Sequence, residues 1–258
     1  MAEEKVNRRG MIRMTAAGAA AVAGLRWART AAASGPEGES PHSWAMVIDQ
    51  AKCTGCGYCS LACQAHNDVS PEISWNVVII ESHTDGGEPI YISRPCMHCE
   101  QPPCAEVCPV GASYRRADGI VMMDYDRCIG CRYCEVACPY FARAFNWEAF
   151  TGPNPAVPEW GHPEVQRRPR GVVEKCSFCF HRIDRGLKVG LEPGVDREAT
   201  PACVVACPVG ARSFGDLNNP DSVVNQLLSD NPYHQLREDL GTGPRVYFLA
   251  PRRIEASV

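Results

Sequence analysis

The hydrophobic pattern of this sequence is broken into short stretches, and few are long enough to name an element. Residues 75–82 (Trp-Asn-Val-Val-Ile-Ile-Glu-Ser) and 90–93 are apolar-rich runs on either side of Asp85-Gly86-Gly87, which predicts a β-hairpin. Residues 112–115 and 120–123 flank Asp118-Gly119, a strong short-range hairpin signal. Near the C-terminus Val223, Val224, Leu227 and Leu228 fall on one helical face. Asn219-Pro220 reads there as an N-cap with proline at the first helical position, Gly241 fits a helix stop, and residues 245–249 (Arg-Val-Tyr-Phe-Leu) predict a closing strand. Residues 148–172 carry Pro153, Pro155, Pro158, Pro163 and Pro169 with little periodicity. They predict a long surface loop, a type that is commonly functional, and a docking role is expected for it.

Composition adds one anomaly. The chain has 258 residues, 45% hydrophobic and 22% charged, with 21 prolines and 22 glycines. That suits one or two globular domains rich in turns. Sixteen cysteines are far outside this frame; they demand disulfides, zinc sites or iron–sulfur clusters, and spacing must choose.

Charge and hydropathy set the N-terminus apart. Residues 1–33 hold Lys5, Arg8, Arg9, Arg13, Arg26 and Arg29 against Glu3 and Glu4, a net of +4, which leaves −8 for the rest of a chain whose total is −4. Asn7-Arg8-Arg9-Gly10-Met11-Ile12-Arg13 resembles a twin-arginine export motif. Residues 14–25 are uncharged and Ala-rich, within signal-peptide range but short of the roughly 20 residues needed to span a bilayer. Ala31-Ala32-Ala33 ends in a cleavage-like pattern. Residues 1–33 are therefore expected to be a twin-arginine signal peptide and residues 34–44 a linker, placing the mature chain on the periplasmic side of the cytoplasmic membrane, held there by partners. The competing explanation is a disordered basic tail with an incidental arginine pair. The acidic body has no basic tract beyond Arg167-Arg168-Pro169-Arg170, which argues against nucleic acid as the main partner.

The cysteines sort into four quartets with none left over: Cys53, Cys56, Cys59 and Cys63; Cys96, Cys99, Cys104 and Cys108; Cys128, Cys131, Cys134 and Cys138; Cys176, Cys179, Cys203 and Cys207. Residues 49–59 align without gaps on 124–134, and Cys108-Pro109-Val110-Gly111-Ala112 recurs letter for letter at 207–211. Such self-similarity points to duplicated units. The expected fold is α+β, two bacterial ferredoxin-like modules of two [4Fe-4S] clusters each, with hairpin insertions and a C-terminal helix–strand tail. Short helices are expected after the third cysteine of quartets one and three, ending near Cys63 and at Pro139.

Spacing favours clusters. A C-x2-C-x2-C loop wraps three corners of a [4Fe-4S] cube, and in two-cluster ferredoxins the fourth cysteine of each run serves the other cluster. Gly55 and Gly130 let the backbone turn tightly inside those loops. Disulfides suit an exported chain, but they give no reason for the third cysteine at +3, the fourth at +4 or three repeats of Cys-Pro. Zinc explains Cys-x2-Cys pairs, yet needs no tight run of four. Four clusters in one small chain make a wire. No catalytic constellation accompanies it, and no Cys-x2-Cys-His motif for covalent haem exists. Lys52, Arg127 and Lys175 each precede the first cysteine of a quartet, where they either offset cluster charge or are merely solvated. His98, inside quartet two, reads as structural.

Several segments together resemble a family. Residues 49–63, Arg94-Pro95-Cys96-Met97-His98-Cys99, Gly171-Val172-Val173-Glu174-Lys175-Cys176, Pro201-Ala202-Cys203 and Gly243-Pro244-Arg245-Val246-Tyr247-Phe248-Leu249 are similar to the four-cluster electron-transfer subunits of molybdopterin oxidoreductases such as polysulfide, tetrathionate and dimethyl sulfoxide reductases. The likeness covers residues 45–250. It implies four [4Fe-4S] clusters: one on Cys53, Cys56, Cys59 and Cys207; one on Cys176, Cys179, Cys203 and Cys63; one on Cys96, Cys99, Cys104 and Cys138; one on Cys128, Cys131, Cys134 and Cys108. It also implies the domain plan: residues 45–95 plus 173–215 as one ferredoxin-like module, 96–147 as the second, 148–172 as a Pro-rich loop and 216–258 as the tail. The implied role is non-catalytic, passing electrons between a molybdopterin-type catalytic subunit and a multi-span membrane quinone-handling subunit. A stand-alone periplasmic polyferredoxin, and the same wire serving a multihaem cytochrome or hydrogenase, are the alternatives. Two departures stand out. Gln64 follows Cys63 where the other fourth cysteines precede proline, and the long gap between Cys179 and Cys203 leaves the loop 187–199 unplaced.

Overall fold

A computed structural model describes residues 39–84 and 86–249. The expected signal peptide, residues 34–38 of the linker, Asp85 of the first hairpin turn and residues 250–258 lie outside them. Among the described residues no helix is long and apolar enough to cross a membrane.

Strand β1 (Trp44–Asp49) is the axis of the molecule. Trp44, Met46 and Ile48 point into the main core, with Trp75, Ile92, Met97, Phe178, Phe214 and Phe248. Val47, on the opposite face by the two-residue period of a strand, packs in a smaller cluster with Val224 and Leu249. Burial on both faces erases alternation, which is why the sequence carries no strand signal here. β1 pairs antiparallel with β8 (Arg212–Asp216), Met46 opposite Phe214. It pairs parallel with β10 (Val246–Leu249), Met46 opposite Val246, and β9 (Tyr233–His234) closes the sheet beyond β10.

Three two-stranded ribbons surround this sheet. β2 (Val77–His83) pairs with β3 (Pro89–Arg94), its register shifting between Ile80 and Ser82; β4 (Ser113–Arg115) pairs with β5 (Val121–Met123); β6 (Ala144–Phe145) pairs with β7 (Val173–Glu174).

The helices follow one rule. α1 (Tyr58–Asn67), α2 (Pro103–Glu106), α3 (Tyr133–Val136) and α5 (Ala202–Val205) each carry the third cysteine of a quartet as their second residue: Cys59, Cys104, Cys134 and Cys203. In three of them the fourth cysteine comes two residues past the helix, followed by Pro109, Pro139 or Pro208. Proline disfavours helical backbone before it and removes a donor, so those helices stop after four residues. Gln64 imposes no stop, and α1 runs on through Cys63 to Asn67. α1 packs on α5, and α2 on α3. α4 (Phe180–Lys188) follows quartet four's first pair, and the loop after it is tied by Thr200, whose hydroxyl bonds Asp196 O and accepts from Gly194 N–H.

Two expected features shift. α6 (Val223–Asp230) begins after Ser222, not at Asn219-Pro220: the Asn219 side chain instead accepts the Asp221 N–H in a local turn. Val224 is buried while Val223 is exposed, which narrows the apolar face. Gly241, at φ +62°, ends a 3-10 turn (Glu238–Leu240) and not a longer helix.

The proline-rich stretch 148–172 has no regular structure, yet it is pinned. Asn154 and Arg168 are buried. Arg168 pairs with Glu174 at 2.6 Å and lies over the Trp75 ring, and Arg167 pairs with Asp68 at 2.9 Å. Arg167 and Arg168 of the one basic tract therefore face inward as a clamp, while Arg170 stays exposed.

Candidate metal centres

None of the sixteen cysteines is in a disulfide, and the fold regroups them across their runs. Cys53, Cys56 and Cys59 line one cavity with Cys207. Cys96, Cys99 and Cys104 line a second with Cys138. Cys128, Cys131 and Cys134 line a third with Cys108. Cys63 lies among Cys176, Cys179 and Cys203, which act on its charge, and Asn67 Nδ2 bridges this set, 3.8 Å from Cys63 Sγ and 3.5 Å from Cys179 Sγ. In every set the fourth cysteine comes from another run.

These sites suit a polynuclear cluster better than a single ion. A tetrathiolate zinc site draws four sulfurs to about 2.3 Å from one point. Among the described residues no three Cys, His, Asp or Glu side chains converge on one such point; the sulfurs surround a space. Burial and mutual repulsion push the thiols up, Cys176 and Cys99 to about 12 and Cys179 to about 11. Thiolates so placed require positive charge among them, which iron supplies.

The tight loops depend on two glycines. Gly55 has φ +71°, and an added Cβ would lie 2.3 Å from the Tyr91 ring; Gly130 has φ +70°, and its Cβ would lie 2.3 Å from Gly171 O. Amides then face sulfur: Ala211 N–H donates to Cys207 Sγ at 3.2 Å, and Ser113 N–H to Cys108 Sγ and Phe178 N–H to Cys176 Sγ, both at 3.5 Å.

The sites are unequal in exposure. Cys56 and Cys131 are exposed, whereas Cys63, Cys176, Cys179, Cys203, Cys96, Cys99, Cys104 and Cys138 are all buried. They also have an order. Cys59 acts on Cys203, Cys96 on Cys176, and Cys104 on Cys134, so the two buried sets sit between the two that reach the surface.

Of the basic residues before each first cysteine, only Lys175 turns inward. It is buried and donates to Val121 O and Cys176 O. Arg127 is exposed, and Lys52 pairs with Asp49 at the surface. His98 is fully buried; its Nδ1 accepts the Val121 N–H at 3.0 Å and its ring stacks on Phe178 at 3.7 Å. Burial, with Lys175 and Arg143 nearby, holds it neutral well below its ordinary pKa. His98 and Phe178 occupy the same place in their Cys-x-x-Cys turns, both with positive φ.

Five side chains on the sulfurs escaped the sequence reading, among them Ser93, whose hydroxyl lies 3.4 Å from Cys59 Sγ. Asn67 is another, delivered by the extended α1. Asn76 donates to Cys59 Sγ at 3.1 Å. Arg143 donates to Cys104 Sγ at 2.9 Å, and Arg212 to Cys203 Sγ at 3.2 Å. The two arginines had a signal: Cys-Pro-x-x-Ala-Arg occurs at both 138–143 and 207–212.

Comparison with known proteins agrees with this geometry. Residues 52–112 and 88–152 each match a family described as a 4Fe-4S dicluster domain; with sixteen cysteines, these matches fit four [4Fe-4S] clusters. The chain is 44% identical over 231 residues to the menaquinone reductase iron-sulfur cluster-binding subunit of Nitratidesulfovibrio vulgaris, covering 81% of this chain and 89% of that one. It is 38% identical over 236 residues to the iron-sulfur subunit of the arsenate respiratory reductase of a Shewanella species, covering 79% and 94%. It is 34% identical over 220 residues to a tetrathionate reductase subunit of Salmonella typhimurium, covering 83% and 74%. Regrouped quartets, dicluster matches and these relatives lead to one conclusion: the chain belongs to the 4Fe-4S iron–sulfur electron-transfer subunits of the arsenate and tetrathionate reductase type.

Proposed function

We propose that this chain is a non-catalytic wire of four [4Fe-4S] clusters, relaying electrons between a membrane quinone-interacting subunit and a molybdopterin catalytic subunit of a respiratory oxidoreductase. The observation that carries the reading is the unbroken order of the four cysteine sets, two buried between two that reach the surface. Cys53, Cys56, Cys59 and Cys207 would hold the first cluster, and Cys63, Cys176, Cys179 and Cys203 the second. Cys96, Cys99, Cys104 and Cys138 would hold the third, and Cys108, Cys128, Cys131 and Cys134 the fourth.

Bound there, the clusters supply one-electron redox chemistry without obligatory proton transfer. The chain's residues do the rest. The inner cysteines exclude water through burial, while Asn67, Asn76 and the loop amides donate to sulfur and orient it. Cys56 and Cys131, exposed at the two ends, are the points of entry and exit. Exposed Ile129, Tyr133 and Trp147 near the Cys131 end, with Arg132 stacked over Trp147, form an apolar rim suited to a partner.

The names of the relatives, subunits of a menaquinone reductase, an arsenate respiratory reductase and a tetrathionate reductase, support both partners. The arginine pair and apolar run of residues 8–25 support export by the twin-arginine route to the periplasmic side of the membrane. The module boundaries are those of the duplicated runs, residues 45–95 plus 173–215 and residues 96–147.

Anaerobic co-purification with metal analysis tests the whole reading. Roughly 16 iron per chain, from four cubes, is expected, with molybdenum or tungsten in the associated large subunit. Two irons or fewer, accompanied by zinc, would overturn the cluster assignment. Full iron on a partnerless monomer would overturn the partners and leave a diffusible carrier.

A further inference from the structure

The ligand sets leave two buried arginines without a role, beside the buried Lys175, which bonds the carbonyl oxygens of Val121 and Cys176. Arg143 and Arg212 are each 5% exposed. Arg168, at 7%, has the carboxylate of Glu174; these two have none among the described residues. Arg143 donates to Cys104 Sγ, Ser113 Oγ and Met123 Sδ. Arg212 donates to Cys203 Sγ, Ser93 Oγ, Asn76 Oδ1 and Met46 Sδ. A guanidinium taken out of water needs compensating negative charge, and neutral Ser, Asn and Met supply only orientation. The remaining source is sulfur. Each arginine bonds the third cysteine of one buried set, and its charge also reaches the third cysteine of the adjoining outer set, Cys134 for Arg143 and Cys59 for Arg212. The surroundings match pairwise: a methionine sulfur, a serine hydroxyl and a helix-borne cysteine at each.

We propose that Arg143 and Arg212 are twin charge bridges, each a permanent positive charge set between the two clusters of one module to raise their reduction potentials. The inference rests on the four-cluster reading above. Reduction adds one negative charge to a cluster already carrying thiolates, and a fixed cation hydrogen-bonded to ligand sulfur favours the reduced form. The bridge also weakens repulsion between adjacent reduced clusters, so the electron meets no deep step within a module.

The test is a mediated potentiometric titration of the full-length holoprotein, with dithionite as reductant and electron paramagnetic resonance as readout. R143M and R212M should each lower two of the four one-electron midpoints, and not the same two. The inner member of each pair should lose about tenfold in its equilibrium constant for reduction, which is about 59 mV for a one-electron couple. Arg→Lys keeps the charge and should fall less; Arg→Gln keeps a donor without charge and should fall as far as Met. A fully loaded Met variant titrating like the parent, or Lys falling as far as Gln, overturns the proposal. Should the Met variants fail to take up iron, the other pair decides: iron retained by Lys and lost by Gln supports it, and equal loss overturns it. Parent iron well below roughly 16 per chain sinks the four-cluster reading instead, whereas full iron with unmoved midpoints sinks only the bridges.

Discussion

Cys138 is written in one cysteine run and stands beside another. It lines a cavity with Cys96, Cys99 and Cys104, while its own run-mates Cys128, Cys131 and Cys134 share theirs with Cys108. Cys138→Ser should therefore disturb the spectrum of the cluster on Cys96, Cys99 and Cys104 and leave its neighbour nearly intact, with Cys108→Ser doing the opposite; reversed spectra would break the pairing. A second residue ties a loop to two helices. Glu164 accepts from His66 Nδ1 at 2.7 Å and from Arg182 Nη1 at 2.6 Å. Burial pushes its carboxyl up, but His181 Nε2 at 3.2 Å, the His66 hydrogen bond and the Arg182 charge hold it well below the ordinary carboxylate range. Because the folded value is depressed, the contribution is fully present above the unfolded value near 4.3 and is lost only as pH falls through the folded value. Glu164→Gln should then cost about 2 kcal/mol, since it strands the buried Arg182, and the penalty in denaturant unfolding should be as large at pH 5.5 as at pH 7. A penalty vanishing by pH 6 would contradict this.

At the scale of elements, legibility followed locality. The Asp118-Gly119 turn announces β4 and β5 because its backbone demand is written in two adjacent residues. β1 left no such mark: it is buried on both faces, and its parallel partner β10 lies about 200 residues on, at Val246. Four-residue helices have no periodicity to detect, yet their ends were legible once Cys-Pro is understood as a stop; Gln64 was visible as an exception, and its consequence, Asn67 among the sulfurs, was not. The cysteine quartets were readable because ligation fixes spacing. The arginines were marked only by their repeated place after Cys-Pro; what they do emerged from their burial and their missing carboxylate. The loops themselves can be probed. Gly57 has φ +78° with open space around its Cα, whereas Gly130 has φ +70° with Gly171 O in the way. Gly57→Ala should cost about 1 kcal/mol, the left-handed penalty alone, and keep full iron. Gly130→Ala must also displace backbone, so it should melt clearly lower and lose iron from the Cys131 site. Equal melting temperatures would remove the close-approach argument.

The whole molecule is closed by its last described strand, and this decides whether the two modules are independent. β10 lies between β1 and β9, so it completes the sheet against which quartets one and four are built. Just before it, Thr242 O and Gly243 O accept from Gln101 and Glu100 N–H, and Arg245 N–H donates to Met97 O, which places the same segment along quartet two. The Arg245 side chain adds bonds to Ser43 Oγ at 2.6 Å, just before β1, and to Glu100 Oε1 at 3.0 Å, just after Cys99. One strap thus holds the sheet and the second module together. Removing it exposes Met46, Ile48 and Phe214 on the sheet and frees the 97–101 turn, whose Met97 and His98 are fully buried. Apolar burial of that extent is worth several kcal/mol, comparable with the whole stability of a domain this size. A chain ended after Gly241 should therefore lose clusters from both modules and purify with little iron. Independent modules would instead leave the second one assembled, with roughly eight irons per chain, and that result would show the strap to be ornamental.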